Sequence, residues 1–231
     1  MFFIVLALLV FTACDSKKDH EPQIQTTVDT WSESKVLICN EGNFGWGNAS
    51  VSIYDKNDKS IVNEAFKATN EYGLGDVCQS AYYFNEKIYI VVNNSSKIEV
   101  VNQNDFKINA TIGGLTSPRY FLPVSNSKAY VTDLYADEIS VVNLNSKLVT
   151  GTIKCNGWTE ELAQSGDKVY VSNPEKQYIN VVDINSDVIS DSILVGLGVS
   201  SIQKDSLGLI WCLRSNDVPA LLRINTDNSV S

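Results

Sequence analysis

Two short runs of β-branched residues, joined by a polar turn, recur along the chain. The clearest copy is KIYIVVNNSSKIEVVN at Lys87–Asn102, and close copies follow at Lys128–Asn143 and Lys168–Asp183. Gly208–Asn225 is a looser copy, and Lys35–Asp55 is a copy with an enlarged turn. Runs of this kind between turn-forming residues are typical of β-strands. The pattern therefore predicts a repeated β-hairpin.

The repeat has a fixed period. Its last four copies begin at residues 87, 128, 168 and 208, a spacing of about 40 residues that is typical of β-propeller blades. Clusters of Asn, Asp, Ser and Gly divide each unit into four strands. Paired valines such as Val100-Val101 break strict alternation, which suits sheets covered on both faces. We predict an all-β fold, a propeller of four-stranded blades.

The strands do not fill a whole number of units. The first copy begins at its second strand and the last ends at Ser231 before its outer strand, so three units are complete and two are partial. Propellers have about four to eight blades. We therefore expect about 4.5 blades from a C-terminally truncated, seven-bladed parent. An open ring would leave sheet edges with unpaired backbone groups, which favour pairing with the edges of other chains.

The first 34 residues do not follow the repeat. Phe2–Phe11 is an apolar run of ten residues, too short to span a bilayer, and Thr12-Ala13-Cys14 follows it. This order is typical of a bacterial lipoprotein signal peptide, with Cys14 acylated after cleavage. An ordinary secretory signal is the alternative. We predict a signal peptide at 1–13, a lipid-anchored flexible tether at 14–34 and the propeller at 35–231.

Composition argues against several classes of function. The formal net charge is -9, which disfavours binding to nucleic acid. The only histidine, His20, precedes the repeats, so they lack a Ser-His-Asp triad and a histidine metal cluster. Adjacent carboxylates such as Glu160-Glu161 would point to opposite faces of a strand. We therefore expect that the protein is not an enzyme and binds neither a resident cofactor nor a metal ion. We expect it to contact the membrane through the lipid anchor alone.

Four cysteines lie within the repeats, and they lack the C-x-x-C spacing of zinc sites. Export would expose them to an oxidising compartment, in which disulfides form. Two of them, Cys39 and Cys212, fall inside predicted strands, as small buried hydrophobic side chains would. Disulfides and buried thiols are both open, and we favour free thiols. The four residues are Cys39, Cys78, Cys155 and Cys212.

The most unusual residues fall in turns between second and third strands and in links between blades. In a propeller these segments emerge on one face, where ligands bind. Aromatic rings and amides suit a large amphipathic ligand, and rigid Tyr and Trp also suit a protein partner. The glycines at 42, 45 and 47 have the alternative role of permitting positive φ. The candidate ligand-binding residues are Asn40, Glu41, Asn43, Phe44, Trp46, Tyr72, Asn93, Asn94, Arg119, Tyr120, Asp133, Tyr135, Trp158, Glu160, Asn173 and Tyr178.

The segment K-x-Y-V-x-N, followed by I-x-V-V-D and a Gly-rich link, resembles the YncE-type seven-bladed propellers. The run NEGNFGWGNAS at Asn40–Ser50 resembles the opening motif of Bacteroidetes surface lipoproteins of this class. Some of these lipoproteins capture cobalamin and sit on a TonB-dependent transporter. The resemblance implies a lipid-anchored outer-membrane protein, exposed at the cell surface, that passes a nutrient, most readily cobalamin, to such a transporter.

Two alternatives to nutrient capture remain. The same face could serve a protein-interaction or adhesion scaffold, or a glycan-binding accessory, without small-molecule cargo. A quinoprotein-like enzyme would need cofactor residues that the repeats do not display.

Overall fold

The computed structural model describes residues 34–216, 218–225 and 227–231. These residues form five antiparallel sheets in chain order, so the predicted all-β propeller architecture is confirmed. Each sheet is one blade, in which consecutive strands are hydrogen-bonded neighbours. The predicted signal peptide, the tether up to residue 33 and Cys14 lie outside the described residues.

The strands follow the predicted hairpins closely, and a short helix lies between the first two blades. Blade 1 contains β1 (Lys35–Asn40), β2 (Ser50–Asp55) and β3 (Ile61–Val62), followed by α1 (Ala65–Asn70). Blade 2 contains β4 (Cys78–Phe84), β5 (Lys87–Val92), β6 (Lys97–Asn102) and β7 (Ile108–Ile112). Blade 3 contains β8 (Pro118–Pro123), β9 (Lys128–Asp133), β10 (Glu138–Asn143) and β11 (Leu148–Lys154). Blade 4 contains β12 (Leu162–Ser165), β13 (Lys168–Val171), β14 (Tyr178–Asp183) and β15 (Val188–Leu194), and blade 5 contains β16 (Val199–Lys204), β17 (Ile210–Arg214) and β18 (Ala220–Ile224).

Five blades replace the predicted 4.5. Three sheets have four strands and two have three among the described residues, as the strand pattern indicates. Blade 5 extends further than expected, because Val230 bridges Ile224 and the backbones of Arg223 and Ser231 exchange two hydrogen bonds of 2.9 Å. Its outer edge is therefore already paired beyond β18. A seven-bladed parent stays a prediction.

The core lies between the blades. One cluster of buried apolar side chains fills each of the four interfaces between consecutive sheets. The paired valines explain the broken alternation: Val100 packs towards blade 3 and Val101 towards blade 1, and both are fully buried. The second interface also contains a stacked pair, Tyr89 on Phe121, with ring centroids 4.3 Å apart.

The outward faces of the terminal blades are different. Among the described residues, no buried cluster joins blade 5 to blade 1. Val36 and Ile38 on blade 1 are 40% and 39% exposed, and Leu213 and Leu221 on blade 5 are 51% and 63% exposed. Apolar side chains that neighbouring blades bury elsewhere are thus open to solvent on these two faces.

The helix α1 is not predicted by the sequence pattern, which indicates strands and turns alone. Ala65 and Phe66 are buried in the cluster between blades 1 and 2. The side-chain amide of Asn70 donates to the Phe106 carbonyl at 3.2 Å, and its oxygen accepts from the Ile108 N–H at 2.8 Å. Isolated helices of this length are unstable in water, so tertiary contacts hold α1.

Phe121→Ala should lower the free energy of unfolding by about 3–5 kcal/mol, because it removes a buried ring and leaves a cavity between blades 2 and 3. Leu148→Ala, at a site that is 61% exposed, is the control and should change it by less than about 0.5 kcal/mol. Urea unfolding followed by circular dichroism measures both. Equal midpoints for the two variants would contradict the interface assignment.

Candidate ligand-binding face

The turns of blades 1 to 3 converge on a cavity of about 280 Å³, referred to below as the face cavity. The β1–β2, β5–β6 and β9–β10 turns contribute, together with the links that enter β4 and β8. Turns and interblade links therefore meet on one face, as the repeat predicts. Its lining is Glu41, Gly42, Phe44, Val77, Gln79, Asn93, Asn94, Ser117, Arg119, Leu134 and Tyr135, of which Glu41, Phe44, Asn93, Asn94, Arg119 and Tyr135 belong to the set predicted from sequence.

Arg119 and Gln79 form the polar floor of this cavity and belong to a charged network that joins three blades, while its other members, Glu160 and Trp158, lie outside the lining. Arg119 Nε of blade 3 donates to Glu160 Oε2 at 2.7 Å, and a second guanidinium nitrogen donates to Oε1. Its third nitrogen donates to Gln79 Oε1 of blade 2. Trp158 Nε1 donates to Glu160 Oε2 at 2.8 Å. This bidentate geometry fixes the guanidinium plane and places Gln79, which lies outside the predicted set, beside Arg119.

The network keeps Arg119 charged although it is largely buried. Its side chain is 18% exposed and that of Glu160 is 7% exposed. Burial acts to lower the pKa of Arg119, but the hydrogen bond and the charge of Glu160 outweigh it and raise the pKa. The positive charge is therefore balanced locally. The cavity floor offers fixed hydrogen-bonding groups rather than an unpaired cation.

Three of the predicted ligand-binding residues instead position loops. Asn93, Asp133 and Asn173 recur every 40 residues at the end of the second strand, and each is buried. Asn93 Nδ2 donates to the Pro118 carbonyl at 2.9 Å, and Asn173 Nδ2 donates to the Asn156 carbonyl at 3.1 Å. Asn93 thus ties its turn to the start of the next blade, whereas Asp133 and Asn173 tie their turns to the link that enters their own blade.

Asp133 has the largest share of these contacts. Its Oδ2 accepts from the Ser117 N–H at 2.7 Å, and its Oδ1 accepts from the Tyr135 and Ala136 N–H groups at 2.9 and 2.8 Å. Asp133 as a whole is 3% exposed. Its bonding capacity is thus used to hold the turn that presents Tyr135.

Asp76, which is absent from the set predicted from sequence, holds the enlarged turn of blade 1. Its Oδ2 accepts from the Gly45 N–H at 2.7 Å and from Asn94 Nδ2 at 2.6 Å. Its backbone N–H donates to Ser95 Oγ at 2.9 Å. Three segments thus meet at one carboxylate, and no local motif marks such a junction in the sequence.

Glycine is required within the enlarged turn. Gly42, Gly45 and Gly47 have φ of 76°, 81° and 62°, so the conformational role proposed for them is confirmed. A Cβ on Gly42 would lie 2.5 Å from Asn48 Oδ1, the atom that accepts the Asn43 N–H at 2.8 Å. The turn therefore closes on itself and projects its aromatic side chains outward.

Exposed aromatic rings stand at the rim of the face cavity. Phe44 is 73% exposed and Tyr135 is 75% exposed, and both line the cavity. Trp46, in the same turn as Phe44, is 77% exposed but does not line it. Large apolar groups this open are costly to hydrate and mark interaction sites when they cluster.

The remaining predicted residues lie elsewhere. The side-chain amide of Asn40 donates to Ser50 and Ser52 hydroxyls inside blade 1, at 3.2 and 3.0 Å. Tyr72 packs edge-on against Phe66, with ring centroids 5.4 Å apart. Asn43 is exposed on the enlarged turn, and Asn173 and Tyr178 belong to blade 4, outside the face-cavity lining.

Tyr120 lines a second cavity, of about 410 Å³, between the inner strands β4, β8, β12 and β16. Burial, and then the charges of Glu160 and Glu161, raise the pKa of its phenol, which therefore stays protonated at neutral pH. Glu161 accepts from the Ile202 N–H at 3.0 Å and links blade 4 to blade 5. The wall of this cavity is thus polar in part, although the sequence pattern singles out Tyr120 alone from its lining.

The described residues contain neither a metal-ligand cluster nor a membrane-spanning helix. Among residues 34–216, 218–225 and 227–231, no group of three or more His, Cys, Asp or Glu side chains is arranged to hold a metal ion. Within the same ranges, no helix has the length and hydropathy needed to span a membrane.

The repeats that form these blades match a known family of protein domains. A family model described as a domain of unknown function, DUF5074, matches residues 35–230. The chain belongs to the DUF5074 family. No curated protein sequence matches the chain.

Several solved structures are similar to this DUF5074 chain, and one of them is described as a β-propeller domain. A quinonprotein alcohol dehydrogenase-like protein from Bacteroides thetaiotaomicron is 14% identical in sequence, with a TM-score of 0.63. The alignment covers 87% of the DUF5074 chain and 50% of the Bacteroides protein. The WD40 propeller domain of Doa1 is 12% identical with a TM-score of 0.64, covering 86% and 63%. Dihydro-heme d1 dehydrogenase NirN is 12% identical with a TM-score of 0.65, covering 86% and 44%.

These similarities show the fold alone, because the identities are 12% to 14%. The DUF5074 chain spans roughly half to two thirds of the lengths of these proteins. Two of them are described as dehydrogenases or dehydrogenase-like, and none shows catalysis by this chain. The expectation that the protein is not an enzyme stays a prediction.

Asp133→Ala should destabilise the fold by about 2–4 kcal/mol, because it leaves three N–H groups without their acceptor in a buried turn. Asp137→Ala, four residues away on the exposed part of the same turn, is the matched control and should be nearly neutral. Urea unfolding midpoints of the two variants test this. A destabilisation no larger than that of the control would refute the positioning role of Asp133.

Proposed function

We propose that this DUF5074 protein captures a large, hydrogen-bonding small molecule on the face cavity and acts without chemistry. The observation that carries the proposal is the combination of the exposed Phe44 and Tyr135 rings with the Arg119 and Gln79 floor, which Glu160 holds in place through Arg119. Aromatic walls with a few well-placed polar groups are the usual composition of a small-molecule site.

The electrostatics of the cavity favour a ligand without a large net charge. Arg119, the one cationic side chain in the lining, is paired with Glu160, and Glu41 adds a further carboxylate nearby. The chain as a whole carries a formal charge of -9. Polyanions would be repelled, whereas amide and hydroxyl groups would find donors and acceptors in Gln79 and Asn94.

Among such ligands we propose cobalamin first, on the strength of the NEGNFGWGNAS resemblance at Asn40–Ser50. A corrin ring carries amides around its edge and presents a broad face to aromatic groups. The cavity, at about 280 Å³, is small for such a molecule. We therefore expect the ring to lie across the rim, against Phe44 and Tyr135, with its peripheral amides directed to the floor.

An open site of this kind suits transient capture and release. A ligand bound across a rim leaves much of its surface exposed for a second protein. We propose hand-off to a TonB-dependent outer-membrane transporter, with the protein held at the cell surface through a lipidated Cys14. Both parts come from the resemblance to YncE-type surface lipoproteins and from the apolar run that precedes Cys14.

A glycan or protein partner is the second candidate, and the outward projection of Trp46 favours it. This ring is 77% exposed and lies outside the cavity lining, so a ligand inside the cavity would not cover it. Rigid exposed aromatic residues are common anchors in protein interfaces.

Titration of the full chain with cobalamin, followed by tryptophan fluorescence and by calorimetry, tests the proposal. Saturable quenching with heat release is expected. Tyr135→Ala should raise Kd by roughly tenfold, about 1.4 kcal/mol, because it removes one aromatic contact without removing a tryptophan reporter.

Tyr83→Ala provides a matched control. Tyr83 is 49% exposed and lies near the opposite end of β4, so its loss should leave Kd unchanged. Absence of binding by the folded protein would overturn the cobalamin proposal, and the glycan or protein-partner function would then lead. Equal losses in both variants would place the ligand away from the face cavity.

A further inference from the structure

Two cysteines meet at the junction of blades 1 and 2. Cys39 lies on β1 and Cys78 is the first residue of β4, the inner strand of blade 2. β1 packs directly against β4, and both cysteines belong to the apolar cluster between these blades. Cys78 is fully buried, whereas Cys39 is partly exposed.

The two thiols are in direct contact. They are hydrogen-bonded to each other, and the Asn40 backbone N–H is directed at the Cys78 sulfur. The Cys78 hydrogen bond lowers the pKa of Cys39 against the opposing effect of burial. The hydrogen bond to Cys39 and burial raise the pKa of Cys78. Cys39 is therefore the partly exposed thiol with the lower pKa, and Cys78 is its fully buried partner.

The other two cysteines of the described residues provide a contrast. Cys155 and Cys212 are buried in separate interfaces. Burial raises the pKa of each to about 11, so little reactive thiolate forms at neutral pH. Neither has a second cysteine in its cluster.

The four cysteines of the described residues are free thiols in this structure, as favoured from the sequence. We propose that oxidation converts Cys39 and Cys78 into a disulfide that joins blade 1 to blade 2. The Cys39 thiolate attacks one sulfur of an external small-molecule disulfide and releases a first thiol. Cys78 then loses its proton and attacks the Cys39 sulfur, which releases a second thiol. Two protein thiols are oxidised and one external disulfide is reduced to two thiols. In the cell this step rests on the proposed export, because an oxidising extracytoplasmic compartment supplies such disulfides.

The crosslink would act on the candidate site as well as on the fold. Glu41 and the enlarged turn follow Cys39 closely, and Gln79 follows Cys78 directly. A covalent bond between the two strands would fix the aromatic rim of blade 1 relative to the polar floor on blade 2. Preorganisation of this kind reduces the entropy lost when a ligand binds.

Peptide mapping tests the proposal because trypsin separates all of the cysteines. Cys39 falls in residues 36–56, Cys78 in 68–87, Cys155 in 155–168 and Cys212 in 205–214. The folded full chain is incubated with oxidised glutathione, denatured, alkylated with iodoacetamide and digested. We expect a linked 36–56/68–87 species, cleaved by reductant, with more than about half of both thiols lost from the alkylated pool.

The remaining peptides and one variant supply the controls. Peptides 155–168 and 205–214 should stay fully alkylated, and in Cys39→Ser the Cys78 peptide should be alkylated too. Full alkylation of Cys39 and Cys78 in the oxidised wild-type protein would overturn the proposal, as would linkage of either to another cysteine. Because no ligand is present, the result is independent of the proposed capture function.

Discussion

Burial of each sheet on both faces is the constraint on which this structure depends. In blade 2, neighbouring Val100 and Val101 are fully buried in different interfaces. The pairs at 141–142 and 181–182 divide in the same way between the interfaces on either side of their blades. Adjacent residues of a strand point to opposite faces, so apolar residues in succession serve two neighbours. No inner blade has a complete core of its own, and the blades are stable only as an array.

This array determines where the candidate site can form. Side-by-side packing brings the equivalent turns of blades 1 to 3 to one face, and the repeated Asn93, Asp133 and Asn173 each fasten a turn to an adjoining interblade segment. The fastened turns are then free to carry variable residues. Blade 1 adds an enlarged turn held by Asp76, and blade 3 adds Tyr135. A rigid scaffold with variable loops is a general arrangement for binding proteins.

Local signals in the sequence predict the strands, the common face and the exposed aromatic residues, because period, turn chemistry and residue type are local properties. Contacts between distant segments are not predictable in this way. The Arg119–Glu160–Gln79 network joins three blades, Asp76 joins three segments, and Cys39 meets Cys78 across an interface. Asp133 has the polarity of a ligand-binding residue, yet its carboxylate is used within the fold. Polarity identifies a residue that needs partners but does not distinguish a ligand from the protein's own backbone.

The central claim is that turns from different blades act together as one recognition surface. Hydrogen–deuterium exchange of the full chain, with and without cobalamin, tests it most directly. The account predicts slower exchange in both the enlarged turn at 41–47 and the turn at 134–136, with no change in the outer strands β7 and β11. Protection in one of these turns alone, protection confined to the outer strands, or no protection at saturating ligand would contradict it.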